Sequence, residues 1–155
     1  MDFAAVLRSY EAHDIGVPVL IAVQRLLEQD IYLLDVNASE RSIAARLAQY
    51  LQEHFTDKNV DVEYNRMGDA PKRVAWSEDK DDVYPDIIVH VRGPGNNLLA
   101  IEIKKDSNPE PKDKDIRKLR AYRQDEDLRY QHALFMRFGV KAGAGTLSEC
   151  EWVHV

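Results

Sequence analysis

Apolar side chains recur at helical spacing through the first third of the chain. The pattern predicts a short helix from Phe3 to Tyr10 and a second helix from Pro18, in its first turn, to about Glu28. The run from Ile31 to Val36 is apolar, but its type stays open. A third helix is predicted from Ala38 to His54. It carries an apolar stripe at steps of four: Ile43, Leu47, Leu51 and Phe55.

From residue 60 onward the pattern favours strands. Val60, Val62 and Tyr64 alternate with polar residues, as in a half-buried strand. A hairpin is expected from two apolar runs, Ile87 to Arg92 and Leu98 to Lys104, because a Gly- and Asn-rich turn at 93–97 separates them. The remaining predicted elements are an irregular segment from Met67 to Asp82, a charged helix from Lys112 to Gln124, a buried strand from Ala133 to Phe138, a loop from Gly139 to Gly145 and a short strand from Glu151 to Val155.

This order predicts an α+β (mixed α/β) fold, in which helices lie on either side of one sheet. The length of 155 residues suits a single domain. We expect residues 37–140 to form its core and residues 1–36 to form a helical extension. Exposed apolar candidates on that extension, such as Leu7, Tyr10 and Leu20, would then cover the core or form a homodimer interface.

The predicted hairpin gathers charged side chains on one face of the sheet. If Arg92 pairs with Leu98 across the turn, Ile88 faces Glu102 and Asp86 faces Lys104. Asp86, Glu102 and Lys104 then share a face, because side chains alternate along a strand.

Two neighbouring carboxylates repel one another unless a cation lies between them. Mg²⁺ prefers oxygen ligands and commonly uses one or two carboxylates together with a substrate phosphate. A bound metal can activate water, and a nearby lysine can stabilise the transition state. The trio therefore suits phosphodiester hydrolysis. The alternative is an ion cluster on an exposed sheet face.

The residues around this trio resemble a known signature. Tyr84-Pro85-Asp86-Ile87-Ile88-Val89-His90, followed by Ile101-Glu102-Ile103-Lys104-Lys105, is similar to the motif of the PD-(D/E)xK nuclease superfamily. The resemblance covers about two-thirds of the chain and points to a bacterial branch with a restriction-endonuclease-like core of helix, three strands, helix and strand. It implies that Asp86 and Glu102 bind Mg²⁺ or Mn²⁺, that Lys104 assists the attacking water, and that the Ile103 carbonyl is a further ligand.

Many members of that superfamily also carry a glutamate on the helix before the first strand, and Glu40 matches it. Because Glu40 lies on the buried side of its helix, its charge needs a partner. Asn37 and Glu40 also have the spacing of a capping box, so Glu40 could instead close the start of the helix. The two roles can coexist.

The charged helix carries an excess of positive charge in an otherwise acidic chain. Its basic residues are Lys112, Lys114, Arg117, Lys118, Arg120 and Arg123. Lys118 is the best candidate for a phosphate contact, and Arg117 and Lys114 are further candidates for nucleic-acid binding. His90 and Arg92 share the predicted active face and could line the groove. The alternative for these residues is a solvated helix face and a structural histidine.

Composition limits the function classes. The net charge of −6 counts against a protein that coats nucleic acid non-specifically. A single cysteine, Cys150, forms no internal disulfide, and the start lacks a signal-peptide pattern, so the expected location is the cytosol. No Cys/His pattern for zinc and no phosphate loop are present. A Mg²⁺- or Mn²⁺-dependent nuclease acting on nucleic acid, with DNA expected, is the leading hypothesis. The rival is a non-catalytic nuclease-like module that binds a protein or nucleic acid.

Overall fold

The computed structural model of the chain describes residues 1–63, 85–93 and 95–155. Over these residues the fold is mixed α+β, with five α-helices and a five-stranded mixed sheet. The helices are α1 (Phe3–Arg8), α2 (His13–Gln29), α3 (Ile31–Asp35), α4 (Glu40–Gln52) and α5 (Asp113–Gln124). The strands are β1 (Asn59–Val62), β2 (Ile87–His90), β3 (Asn97–Lys105), β4 (His132–Phe138) and β5 (Leu147–Trp152).

The strands follow one another across the sheet in chain order. Neighbouring strands are antiparallel except for β3 and β4, which are parallel and are connected through α5. The predicted order of helix, three strands, helix and strand is confirmed from α4 to β4. The last strand begins at Leu147 rather than at the predicted Glu151.

Each face of the sheet packs against helices. Alternate residues of β2 and β3, including Ile87, Val89 and Ile101, join the larger core beneath α1, α2 and α4. Residues between them, such as Ile88 and Ala100, join a second core beneath α5. The apolar stripe predicted for α4 is buried at all four positions: Ile43, Leu47, Leu51 and Phe55.

Helix α2 begins earlier than its sequence pattern predicted. It starts at His13, so Pro18 lies inside the helix and not in its first turn. The first turn packs closely on α1, because a Cβ atom at Gly16 would stand 2.3 Å from the Leu7 carbonyl oxygen. The glycine permits this contact between the two helices.

The start of α4 differs from the capping box considered for Asn37 and Glu40. Ser39 is the N-cap, and its hydroxyl accepts a hydrogen bond from the Ser42 amide at 3.1 Å. Asn37 lies outside the helix with a φ of +55°, a region that asparagine tolerates better than most residues. Glu40 therefore does not cap the helix, and its carboxylate can contact another element.

The N-terminal helices are part of the main core. Of the two roles expected for Leu7, Tyr10 and Leu20, the structure shows the first: they cover the core and are not exposed, at 0%, 7% and 5% of their surface. Among the described residues, no helix is long and apolar enough to span a membrane. The predicted irregular segment from Met67 to Asp82 lies outside the described residues, as does Tyr84.

Candidate active site at the end of strand β2

The β2–β3 register is shifted by two residues from the predicted one. Ile88 pairs with Ala100 instead of Glu102, and His90 pairs with Asn97, after an irregularity that follows Val89. The ladder ends with Ile87 opposite Ile101, which brings Asp86 beside Glu102 and not beside Lys104. Because the shift is even, each side chain keeps its predicted face.

Asp86 lies where the described pairing of β2 with β3 stops. Beyond Ile101, the next amide of β3 that points towards β2 is that of Ile103, and it donates to the Asp86 carboxylate at 2.8 Å. The Asp86 side chain thus takes the place of a strand carbonyl, because it accepts the hydrogen bond of a β3 amide beyond the described pairing with β2.

Glu40 reaches the same edge from α4. Its carboxylate accepts the next outward amide, that of Lys105, at 2.8 Å. Burial is the largest influence on the pKa of both Asp86 and Lys104. The charge of Glu40 is a smaller influence, which raises each pKa. Glu40 is therefore held against the same strand edge as Asp86, and its role in a metal site stays a prediction.

Glu102 is the most deeply buried acid of the site, with 3% of its surface exposed. Its carboxyl group interacts with that of Asp86, and each group shifts the pKa of the other. Burial raises the pKa of Asp86, and burial together with the Asp86 charge raises the pKa of Glu102 well above its ordinary value. The two acids consequently hold their protons more tightly than free carboxyl groups do.

Two groups of α5 contact the same oxygen of Glu102. The Lys118 ammonium lies 3.3 Å from Oε1, and the buried Tyr122 hydroxyl donates to that atom over 3.4 Å. Burial raises the pKa of Tyr122 well above its ordinary value, so the hydroxyl keeps its proton. Lys118 was expected to contact phosphate, but here it neutralises Glu102.

Lys104 lies on the same face of β3, two residues beyond Glu102, and is paired with other acids. Its ammonium is 3.1 Å from Asp115 on α5 and 3.4 Å from Glu110. Burial lowers the pKa of Lys104, but these carboxylates outweigh it and leave the pKa above its ordinary value. Lys104 is accordingly a fixed cation beside the acidic pair.

The donor chemistry fits a hard divalent cation. Asp86 and Glu102 offer oxygen atoms only, and a cation between them would favour the ionised form of both. The Ile103 carbonyl points to the same edge as the Ile103 amide, since both groups of a strand residue face one neighbour. Within the described residues no three His, Cys, Asp or Glu side chains form a metal-binding group. A metal would thus depend on two carboxylates, a carbonyl and water.

His90 and Arg92, predicted to line the groove, belong to a different cluster. His90 Nε2 lies 2.7 Å from Asp61 of β1, and the Arg92 guanidinium also binds Asp61. Burial opposes ionisation of Asp61, yet these two contacts bring its pKa below the ordinary value. His90 is four residues from Asp86, about 13 Å along a strand. Neither residue contacts the acidic pair.

Lys114 and Arg117 also lie away from the acidic pair. Both are exposed. Arg117 lines an open groove of about 460 Å³ together with Lys112, Asp113, Ile116, Arg120 and Glu151. Of the three lysine and arginine candidates on α5, the site contains Lys118 alone.

Asp115, Tyr122 and Glu110 belong to the site but were not predicted. Asp115 and Tyr122 are 5% and 0% exposed. With Lys118 they occupy positions i, i+3 and i+7 of α5, which form one helical face. That spacing is readable in the sequence, but a tyrosine at helical spacing also fits an apolar core, and an aspartate among lysines also fits a solvated helix face. Glu110, before α5, carried no such signal.

The chain was compared with protein-family models, curated proteins and solved structures. None of the three comparisons found a match. The resemblance of the motif to the PD-(D/E)xK signature therefore stays a prediction made from the residues themselves.

Proposed function

We propose that this chain is a divalent-metal-dependent nuclease that hydrolyses phosphodiester bonds, with DNA as the expected substrate. The supporting observation is the pairing of Asp86 with Glu102 at the start of β2, with Glu40 held against the same edge of β3 and Lys104 on the same strand face as Glu102. The order of elements from α4 to β4 supports a restriction-endonuclease-like core for this proposal.

In this proposal Asp86 and Glu102 hold Mg²⁺ or Mn²⁺, and the Ile103 carbonyl is a third ligand. The metal would supply an activated water and neutralise charge on the phosphate. Hydrogen bonds from the Ile103 amide to Asp86 and from Tyr122 to Glu102 orient the two carboxylates before any metal arrives. Such fixed orientation lowers the cost of assembling a metal site.

Lys104 acts as a positioned cation. Its ammonium, held by Asp115, stabilises negative charge that develops on the phosphate and orients the water. Glu40 supports the site from the side of α4 through water. Because Glu40 already accepts the Lys105 amide, its carboxylate is held against the edge of β3.

The decisive test is a cleavage assay with single- and double-stranded DNA and RNA, in the presence of Mg²⁺, Mn²⁺ or EDTA. We expect metal-dependent cleavage that falls by about a hundredfold or more in Lys104→Ala, since a charge-stabilising group is worth that much in a dry site. Lys105→Ala is the matched control, because its side chain leaves the same strand on the opposite face and lies near the Asn37 carbonyl. Cleavage that Lys104→Ala leaves unchanged would contradict the assignment.

A second candidate is a non-catalytic binding module built on the same fold. It is favoured by the pairing of both site lysines with acids of the chain itself, Lys104 with Asp115 and Lys118 with Glu102. Calorimetry with Mn²⁺ separates the candidates. A module of this kind binds no divalent ion, and Asp86→Ala then only raises thermal stability by removing a buried acid.

A further inference from the structure

We propose that the Lys118 ammonium is a placeholder cation, which neutralises Glu102 until a divalent ion binds and displaces it. This inference rests on the proposed function, since it concerns how the metal enters the same site. It assigns Lys118 a role in controlling metal affinity as well as any later contact with phosphate.

The geometry places Lys118 in competition with a metal. Its ammonium is 3.3 Å from Glu102 Oε1, and only 3% of the Glu102 side chain is exposed. A divalent ion that uses Oε1 must occupy the region where the ammonium now lies. Two cations so close together would repel one another, so Lys118 must turn away as the metal binds.

Lys118 has a route out of the site, whereas Lys104 is more firmly held. The Lys118 side chain is 21% exposed and has Glu102 as its acidic partner among the described residues. Lys104 is 11% exposed and is shared by Asp115 and Glu110. A long lysine stem can swing its ammonium into water at small cost. Lys118 is therefore the cation that moves away from Glu102 when a divalent ion binds.

Isothermal titration calorimetry with Mn²⁺ on metal-free protein tests the inference without any substrate. Lys118→Met removes the competing cation, and we expect it to bind Mn²⁺ on the order of tenfold more tightly than the original protein. Lys114→Met is the matched control. It removes the same charge one turn earlier on α5, from an exposed side chain outside the acidic site. We expect its Mn²⁺ affinity to stay within about twofold of the original.

Thermal unfolding with and without Mn²⁺ gives a second readout. Tighter binding must raise the unfolding temperature of Lys118→Met by more than that of the original protein, because a ligand stabilises the state that binds it. If Lys118→Met does not fold, as judged by circular dichroism, Lys118→Gln replaces it in both measurements.

The outcomes separate the inference from the proposed function. Equal Mn²⁺ affinity in Lys118→Met and the original protein, or equal gains in Lys118→Met and Lys114→Met, overturns the placeholder role alone. Absence of Mn²⁺ binding in every variant overturns the proposed function and the placeholder role together. Tighter binding confined to the Lys118 variants supports both.

Discussion

At the scale of single residues, the burial of Asp86 and Glu102 beside one another makes stability depend on pH. Both acids have a raised pKa in the folded protein, so the folded state holds their protons more tightly than the unfolded state does. Their contribution to stability is therefore complete below the ordinary pKa values of 3.8 and 4.5 and declines as the pH rises through the folded values. Metal-free protein should therefore become less stable as the pH rises from the ordinary pKa values of these acids through their folded ones.

Glu102→Gln measures that effect. The amide has the shape of the protonated acid but does not ionise, so we expect the variant to lose less stability than the original protein as the pH rises. Unfolding midpoints in urea, taken across the pH range without metal, check this. If the difference between the two proteins does not grow with pH, Glu102 ionises without cost and its buried pairing has no thermodynamic role.

Residue faces were predictable from sequence, but residue partners were not. The alternation of apolar and polar positions assigned Asp86, Glu102 and Lys104 to one face, and a register shift by two preserved that result. The shift arises at the turn, where His90 pairs with Asn97 instead of Ala100, and the irregularity between Val89 and His90 then reduces the offset from three residues to two. The pairing of Lys104 with Asp115 depends on how α5 packs across the sheet, and local sequence patterns do not record such tertiary packing.

At the scale of elements, the cap of α4 fixes where Glu40 stands. Ser39 caps the helix, so Glu40 is its first helical residue and its side chain is free to bind the Lys105 amide. Periodicity predicted the body of α4 correctly, whereas its start was placed at Ala38. Helix ends are set by single hydrogen bonds, which hydrophobic periodicity does not record.

Ser39→Ala should lower the free energy of unfolding by about 1 kcal/mol, because it leaves the Ser42 amide without its side-chain acceptor. Ser39→Asp retains a capping oxygen and should stay within about 0.5 kcal/mol of the original protein. Chemical denaturation of the three proteins checks both values. Equal stability of Ser39→Ala and the original would show that water replaces the cap at no cost.

At the scale of the whole molecule, the first 36 residues are part of the main core and not a detachable extension. Their buried apolar side chains, which pack with α4 and the sheet, are Leu7, Ile15, Val19, Leu20, Val23, Leu26 and Leu34. Burial of a side chain of this size contributes about 1.5–3 kcal/mol, so together they rival the entire stability of a typical domain, about 5–15 kcal/mol. The sequence pattern showed their periodicity but not what they pack against.

A chain that begins at residue 37 should therefore not fold. We expect it to lose the cooperative unfolding transition and to bind dyes that recognise exposed apolar surface. Circular dichroism during urea titration checks this. A shortened chain that still unfolds cooperatively would show that residues 37–155 carry a sufficient core on their own.

The acids at the end of β2 also protect a sheet edge from other chains. The amides of Ile103 and Lys105 lie beyond the described pairing of β2 with β3, and the Asp86 and Glu40 carboxylates accept their hydrogen bonds. An open strand edge of this kind would otherwise accept a strand from a second molecule and seed aggregation. Substitutions that remove both carboxylates should thus make the protein less soluble, even where they relieve buried charge. An acid at this position therefore has a role in colloidal stability that is independent of the proposed function.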